Sequence, residues 1–206
     1  LCEQNFDALE NTWNKIWPYL KNVVKNLEWI NLGGGHHITR SDYKLNKLTN
    51  FLLELKAKTN CQIILEPGEA VVFESGVLVG EILDYIQGDN KKIPNIGITD
   101  ISPVCHMPDV IEAPYRPLLM NEPVKGKKVV LGGPSCLAGD VIGEYYFVKS
   151  PNIGDKVVFL DQAHYTLVKT NFFNGINHPE VILWNSDNND FKVIKSFDFK
   201  DFEARN

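Results

Sequence analysis

Three short stretches combine residue types that do chemistry with turn residues that display them. They read LGGGHH at 32–37, LEPG at 65–68 and LGGPSCLAGD at 131–140. In the first, Gly33, Gly34 and Gly35 follow an apolar run, and backbone amides at the carboxyl end of such a strand bind anions. The triplet predicts a phosphate cradle, and a tight strand-to-helix turn without a ligand is the alternative.

Glu66 holds the equivalent place after the apolar run CQIIL. A carboxylate that closes a buried strand is costly to desolvate unless it has a partner, and a protonated ligand nitrogen would supply one. The pattern therefore predicts a carboxylate that faces a cationic ligand atom. The alternative is a glutamate that only caps the sharp turn made by Pro67 and Gly68.

Cys136 lies among Gly, Pro and Ser in the third stretch, a composition typical of an exposed loop. Loops display reactive groups more often than cores do, so this thiol is a candidate reactive group. The alternative is a small hydrophobic side chain buried at a turn.

The elements that must position these residues follow from apolar spacing. Apolar residues recur every three or four positions over 6–27 and again over 45–55, which predicts two amphipathic helices, and Thr39 with Asp42 predicts a capping box for the second. Two short apolar runs alternate with these helices, which indicates a parallel α/β fold. After Gly68, short β-prone runs predict an antiparallel β domain that ends in a helix near 197–206.

Composition narrows the possible functions. The 206-residue chain carries a net charge of −5 and three arginines, which argues against nucleic-acid binding and favours a cationic small molecule. Neither a signal peptide nor an apolar run long enough to cross a membrane is present, so we expect a cytoplasmic protein. The four cysteines form no C-x-x-C pair, so we expect reduced thiols and no metal site; they are Cys2, Cys61, Cys105 and Cys136.

The order of the motifs is more specific than any one of them. G-G-G, E-P-G, G-P-S-C-x-x-G-D and AHYTLVKTNFFNGI follow one another along the chain. This order resembles the fold type III pyridoxal-phosphate decarboxylases, which include ornithine, arginine and diaminopimelate decarboxylases. The local wording of LGGGHHIT, EPGEA, CHMPDVIEAPYRP and GPSCLAGDVIGEY resembles the carboxynorspermidine decarboxylase branch. The resemblance implies the second half of a (β/α)8 TIM-like barrel at 1–70, then an antiparallel β-barrel or sandwich domain at 71–206 with a short helical return to the barrel.

The same resemblance implies roles in binding pyridoxal 5'-phosphate and in catalysis. Gly33, Gly34 and Gly35 would hold the cofactor phosphate together with Tyr165, and Glu66 would keep the pyridine nitrogen protonated. Cys136 would cross the interface of a homodimer into the partner's active site and protonate Cα after CO2 leaves.

Substrate contacts are implied more loosely. His36 or His37 could face the ligand, or could anchor the loop. Four charged residues that suit the substrate's amines and carboxylates are also candidates: Asp109, Glu112, Arg116 and Asp140. For Asp109, Glu112 and Arg116, a surface ion pair is the alternative. Leu137 stands where several relatives carry an acidic residue, which argues against short diamine substrates.

Two departures accompany the resemblance. Glu69 occupies the fourth position of E-P-G-R, where relatives often carry an arginine that helps to bind the phosphate. No lysine here matches the Schiff-base lysine, which is expected upstream of Leu1, so the chain resembles the C-terminal half of a longer enzyme. The implied activity is decarboxylation of carboxynorspermidine or carboxyspermidine in polyamine synthesis. The alternatives are a decarboxylase of meso-diaminopimelate or a basic amino acid, and a non-catalytic half-chain that only binds partners.

Overall fold

The computed structural model describes residues 5–89 and 92–205, so Cys2 lies outside the described residues. The chain divides into two compact units, Leu1–Phe73 and Glu74–Asn206. In the described part, Cys61, Cys105 and Cys136 are free thiols. None of the helices in these ranges is long and apolar enough to span a membrane.

The first unit alternates helices and strands as predicted. Its elements are α1 (Phe6–Leu20), a 3-10 turn (Val24–Asn26), β1 (Trp29–Asn31), α2 (Leu45–Thr59), β2 (Gln62–Ile64) and α3 (Glu69–Val72). Strands β1 and β2 are parallel, and Asn31 pairs with Ile64 at their carboxyl ends. α1 and α2 pack through a small apolar core around Phe6, Leu9 and Leu48. The parallel pairing brings the two loops that follow these strands to one edge.

Two local predictions for this unit were wrong. The first helix ends at Leu20 instead of continuing to 27, and Pro18, which has no amide hydrogen to donate to the Asn14 carbonyl, lies in its last turn. The second helix begins at Leu45 without a side-chain cap. Thr39 instead donates to the Ala70 carbonyl at 2.5 Å, and Asp42 pairs with Arg40. Both side chains therefore have partners other than the helix start.

The second unit is a five-stranded sheet in the order β6-β5-β4-β3-β7. Its elements are β3 (Val77–Ile86), β4 (Asn95–Thr99), α4 (Pro103–His106), α5 (Asp109–Glu112), β5 (Lys127–Gly132), β6 (Val141–Phe147), β7 (Lys156–Leu160), α6 (Tyr165–Val168), β8 (Val181–Asn185), β9 (Asp190–Lys195) and α7 (Phe199–Glu203). The sheet is antiparallel except for β4 and β5, which are parallel because the crossover through α4 and α5 separates them. The core includes Ile82, Leu131, Tyr145 and Phe159.

The C-terminal region adds a β-hairpin of β8 and β9 and the short helix α7. Asp198 caps α7 by accepting from Lys200 N at 2.8 Å, while Asp201 accepts from Asp198 N at 3.0 Å. This reciprocal cap begins a helix within the segment where the sequence predicts one.

Candidate active site

The glycine turn after β1 has a backbone that only glycine adopts without strain. Gly33 lies at a φ of +78°, in the left-handed region. A Cβ atom on Gly34 would lie 2.6 Å from the Glu66 carbonyl oxygen, so a side chain there would force the two loops apart. The two loops that follow β1 and β2 therefore approach each other backbone to backbone at the carboxyl edge of the two strands.

Asn31 joins this turn to Glu66. Its side-chain oxygen accepts from Gly33 N at 2.8 Å, and its amide donates to Glu66 Oε1 at 2.7 Å. Glu66 N in turn donates to Gly33 O at 2.9 Å. Glu66 is exposed, so the partner that orients its carboxylate is Asn31 and the desolvation argument does not apply within this chain. Sequence reasoning missed Asn31, although a polar residue between an apolar strand and a glycine turn was a usable signal.

His36 and His37 are buried directly after the glycine turn, with only 2% and 5% of their surfaces exposed. Neither ring makes a hydrogen bond through either nitrogen to the described residues. Leaving such a polar group unpaired costs about 1–3 kcal/mol, so the imidazoles suit a ligand or a further protein group. Glu69 Oε2 lies 3.8 Å from His37 Nε2. The residue at the fourth position of E-P-G-R, where the sequence analysis expects an arginine in relatives, is therefore beside a histidine.

Cys136 lies on the exposed loop between β5 and β6, as its loop composition predicts. The backbone amide of Cys136 donates to Asn174 Oδ1 at 3.0 Å. Asn174 belongs to the 3-10 turn Phe173–Gly175, in the NFFNG segment of the last motif. The structure therefore brings the third and fourth motifs together through Asn174, which the sequence analysis placed in the last motif without a contact to the cysteine loop.

Asp140, predicted to contact substrate, is buried beneath the same loop with 4% of its surface exposed. Its carboxylate accepts from Ser102 Oγ at 2.8 Å, Val104 N at 3.1 Å and Ser135 N at 3.0 Å. Within this chain the buried acid is bonded to three donors and anchors its loop, and a substrate contact by Asp140 stays a prediction.

Asp109, Glu112 and Tyr165 gather around one lysine. Lys169 Nζ lies 2.5 Å from Asp109 Oδ1, 3.4 Å from Glu112 Oε2 and 5.0 Å from the centre of the Tyr165 ring. The hydrogen bond that Lys169 donates to Asp109 raises the pKa of Lys169. Two carboxylates and an aromatic face are a typical environment for an ammonium group. Sequence reasoning grouped the two acids but did not find their lysine.

Arg116 makes a separate set of contacts at β6. Its Nε donates to Glu144 O at 2.8 Å, its Nη2 lies 2.5 Å from Glu122 Oε1, and its guanidinium lies over the Tyr145 ring. All of these partners belong to the β domain itself. The ion-pair alternative raised for this residue fits these contacts, and a substrate contact does not follow from them.

His106, the last residue of α4, is buried with both ring nitrogens in contact with backbone atoms. Its Nδ1 accepts from Ser102 N at 3.1 Å, and Nε2 lies 3.0 Å from Asn177 O. Burial lowers the pKa of His106 below its ordinary 6.5, against smaller opposing contributions from the Asn177 bond, Asp100 and Asp140; nearby His178 lowers it further. As the pH falls through 6.5, the unfolded chain therefore binds a proton at this residue before the folded chain does. The contribution of His106 to the free energy of unfolding is complete above pH 6.5 and falls as the pH drops toward the lowered pKa.

We therefore expect the melting temperature of the intact protein to fall between about pH 7 and pH 5, and to fall less in His106→Gln. Thermal unfolding across that range measures the difference. The variant should melt lower at neutral pH, since a flexible amide side chain replaces the buried ring that makes both bonds, but with a flatter pH profile. His178 also has a lowered pKa from burial, so part of the slope should remain. Identical slopes would contradict the assignment.

Comparison with known proteins gives a consistent result. No family model matches the chain. It is 39% identical to the "Carboxynorspermidine/carboxyspermidine decarboxylase" of Campylobacter jejuni, over 100% of this chain and 56% of that protein. It is 35% identical to the "Carboxyaminopropylagmatine decarboxylase" of Synechocystis, over 100% of this chain and 53% of that protein. The chain thus spans about half the length of the curated relatives it matches.

Solved structures agree with the sequence matches. The crystal structure of carboxynorspermidine decarboxylase from Campylobacter jejuni, complexed with norspermidine, superposes with a TM-score of 0.89 at 39% identity, covering 100% of this chain and 59% of that one. An arginine decarboxylase from Paramecium bursaria Chlorella virus gives a TM-score of 0.71 at 21% identity, covering 86% of this chain and 50% of that one, which shows a shared fold.

These neighbours define a class. The chain has the fold of the fold type III pyridoxal-phosphate decarboxylases, with part of a β/α barrel followed by a β domain, and the predicted fold class is confirmed. Within that class, the chain matches the C-terminal half of the carboxynorspermidine/carboxyspermidine decarboxylases in both sequence and structure.

Proposed function

We propose that the protein containing this chain is a pyridoxal-phosphate-dependent decarboxylase that converts carboxynorspermidine or carboxyspermidine to norspermidine or spermidine. The observation that carries the proposal is the match over the entire chain to carboxynorspermidine decarboxylase at a TM-score of 0.89. The retained Glu66 and Cys136 support it, because a purely structural half-chain needs neither a carboxylate beside a glycine cradle nor a displayed thiol.

Residues of the first unit suit the cofactor. The buried ring nitrogens of His36 and His37, which make no hydrogen bond to the described residues, fit a hydrogen-bonding group at this turn. When bound, pyridoxal phosphate supplies a sink for the electron pair that is released as CO2 leaves. Glu66, oriented by Asn31, would hold the proton on the ring nitrogen. The glycine turn would hold the phosphate.

Cys136 would be the acid that completes the reaction. The bond between the substrate's Cα and its carboxylate breaks and CO2 leaves. The thiol then gives its proton to the same carbon, and water returns a proton to the thiolate. The thiol is exposed on its loop, as a group that reaches into a neighbouring subunit must be. We therefore include in the proposal a homodimer with shared active sites.

Asp109 and Glu112 suit the ammonium groups of a carboxylated triamine. Both pair with Lys169 in this chain, as the ion-pair alternative expects, so a substrate ammonium would take the place of Lys169 Nζ between them. Leu137, directly after Cys136, offers no charge to a distal amine, which favours a longer substrate than a diamino acid. The Schiff-base lysine would be supplied by sequence outside this chain.

Product analysis with the intact protein and added cofactor tests the proposal. We expect norspermidine or spermidine to form at least about tenfold faster than lysine from meso-diaminopimelate, because the second carboxylate and shorter chain of that substrate lack partners at Leu137. The assay offers carboxynorspermidine, carboxyspermidine and meso-diaminopimelate separately. Carboxyaminopropylagmatine is a useful fourth substrate, since a 35% identical relative is named for it.

The other outcomes each contradict the proposal in a different way. Lysine as the main product would move the protein to diaminopimelate decarboxylation. Faster turnover of carboxyaminopropylagmatine than of either proposed substrate would change the substrate assignment and keep the reaction class. No product from any substrate, with cofactor bound, would favour a non-catalytic role.

A further inference from the structure

The loop that carries Cys136 is anchored at its base by Asp140. Gly133 N donates to Asp140 O at 2.8 Å, Ser135 N donates to Asp140 Oδ2 at 3.0 Å, and Asp140 N donates to Leu137 O at 2.9 Å. These bonds close the loop on itself on both sides of the cysteine. They do not reach the Cys136 residue.

Asn174 supplies the bond that does. Its Oδ1 accepts the Cys136 amide at 3.0 Å across 38 residues of sequence. Asn174 has φ and ψ of 57° and 15°, in the left-handed region, which asparagine tolerates better than most side chains. The conformation turns its side chain toward the cysteine loop and away from the local backbone.

The Asn174 turn is itself held by α4. Asn171 Nδ2 donates to Val104 O at 2.7 Å, Asn171 N donates to Cys105 O at 3.0 Å, and Cys105 Sγ lies 3.4 Å from Phe173 O. Val104 also donates its amide to Asp140. The base of the cysteine loop and the turn that holds its tip are therefore fastened to the same four-residue helix.

We propose that Asn174 is a positioning residue, which holds the Cys136 backbone so that the thiol delivers its proton to one face of the reacting carbon. The proposal rests on the proposed role of Cys136 as the acid. A loop held only at its base could swing its tip, and a displacement of about 1 Å between an acid and its target can cost about a hundredfold in rate. The bond from Asn174 removes that freedom.

Two variants of the intact enzyme separate positioning from general structure. Asn174→Gly keeps the left-handed turn and loses the acceptor, whereas Asn174→Asp keeps an acceptor in the same place. In D2O, wild-type enzyme should put deuterium on one face of the carbon that loses CO2. We expect Asn174→Gly to lower kcat by about ten- to a hundredfold with little change in KM, and to give deuterium on both faces. Asn174→Asp should retain most of both properties.

A second readout does not depend on turnover. The rate at which iodoacetamide alkylates Cys136, followed by mass spectrometry of its peptide, should change in Asn174→Gly and stay near wild type in Asn174→Asp. Unchanged kcat, deuterium placement and alkylation in Asn174→Gly would overturn the positioning role while leaving Cys136 as the acid. If Cys136→Ala also kept full activity, the proposed function of the thiol would fail and Asn174 would lose its role with it.

Discussion

Cys136→Ala is expected to lower kcat for the carboxylated triamine by about 10²- to 10⁴-fold, because a positioned general acid contributes about that much to a proton transfer. Substrate affinity should change little, since the thiol acts after the substrate is bound. Cys136→Ser should recover only part of the rate, because a hydroxyl is a far weaker acid than a thiol. Steady-state kinetics of the intact enzyme, with the amine product quantified, measures both.

Cys61→Ala is the matched control. Cys61 is buried in the first unit at the amino end of β2, where its sulfur lies 3.2 Å from Leu27 O, whereas Glu66 follows the carboxyl end of that strand. We expect Cys61→Ala to lower the stability of the protein and to leave kcat near the wild-type value. A Cys136→Ala enzyme that turns over at the wild-type rate would remove the thiol from the mechanism.

Glu66→Gln is expected to reduce kcat by about 10²- to 10³-fold, a magnitude typical of removing one aligned electrostatic group. Glutamine has nearly the same shape, and its Oε1 can still accept from Asn31 at the 2.7 Å spacing of the native bond. The change therefore removes the charge that would keep the ring nitrogen protonated and leaves the loop geometry in place. Cofactor affinity, followed by absorbance titration, should weaken along with the rate.

Glu54→Gln provides the comparison, because Glu54 is an exposed residue on α2 outside the glycine turn. Loss of kcat in Glu66→Gln but not in Glu54→Gln is the expected pattern. Full activity in Glu66→Gln would favour the alternative interpretation, in which the glutamate only caps the turn made by Pro67 and Gly68.

The positions of the glycine turn and Glu66 could be predicted because each follows an apolar run. Parallel strands end at the same edge of a sheet, so two motifs at strand ends meet there in any such fold. Asn31, which joins them, was missed because its importance lies in two side-chain hydrogen bonds that no spacing rule contains. The same holds for Lys169, whose partners lie 57 and 60 residues away.

Residue type alone did not identify the partners of two charged side chains. Asp140 has the charge of a substrate ligand, but it is buried against Ser102 and two backbone amides. Arg116 is the right kind of group for a carboxylate, and it finds one in Glu122 of its own domain. An ionisable side chain bonds to whatever partner the fold brings near, and that partner cannot be read from the side chain alone.

The sequence by itself determined the alternation of helices and strands, the change to β structure near residue 70 and the order of motifs that indicates the fold class. These features depend on local periodicity and on short stretches of chain. Only the tertiary structure decided that Asn174 reaches the Cys136 amide and that Asp140 bonds to Ser102 and Val104. Those outcomes depend on hydrogen bonds between residues far apart in the chain, whose energies arise only once folding has brought both partners together.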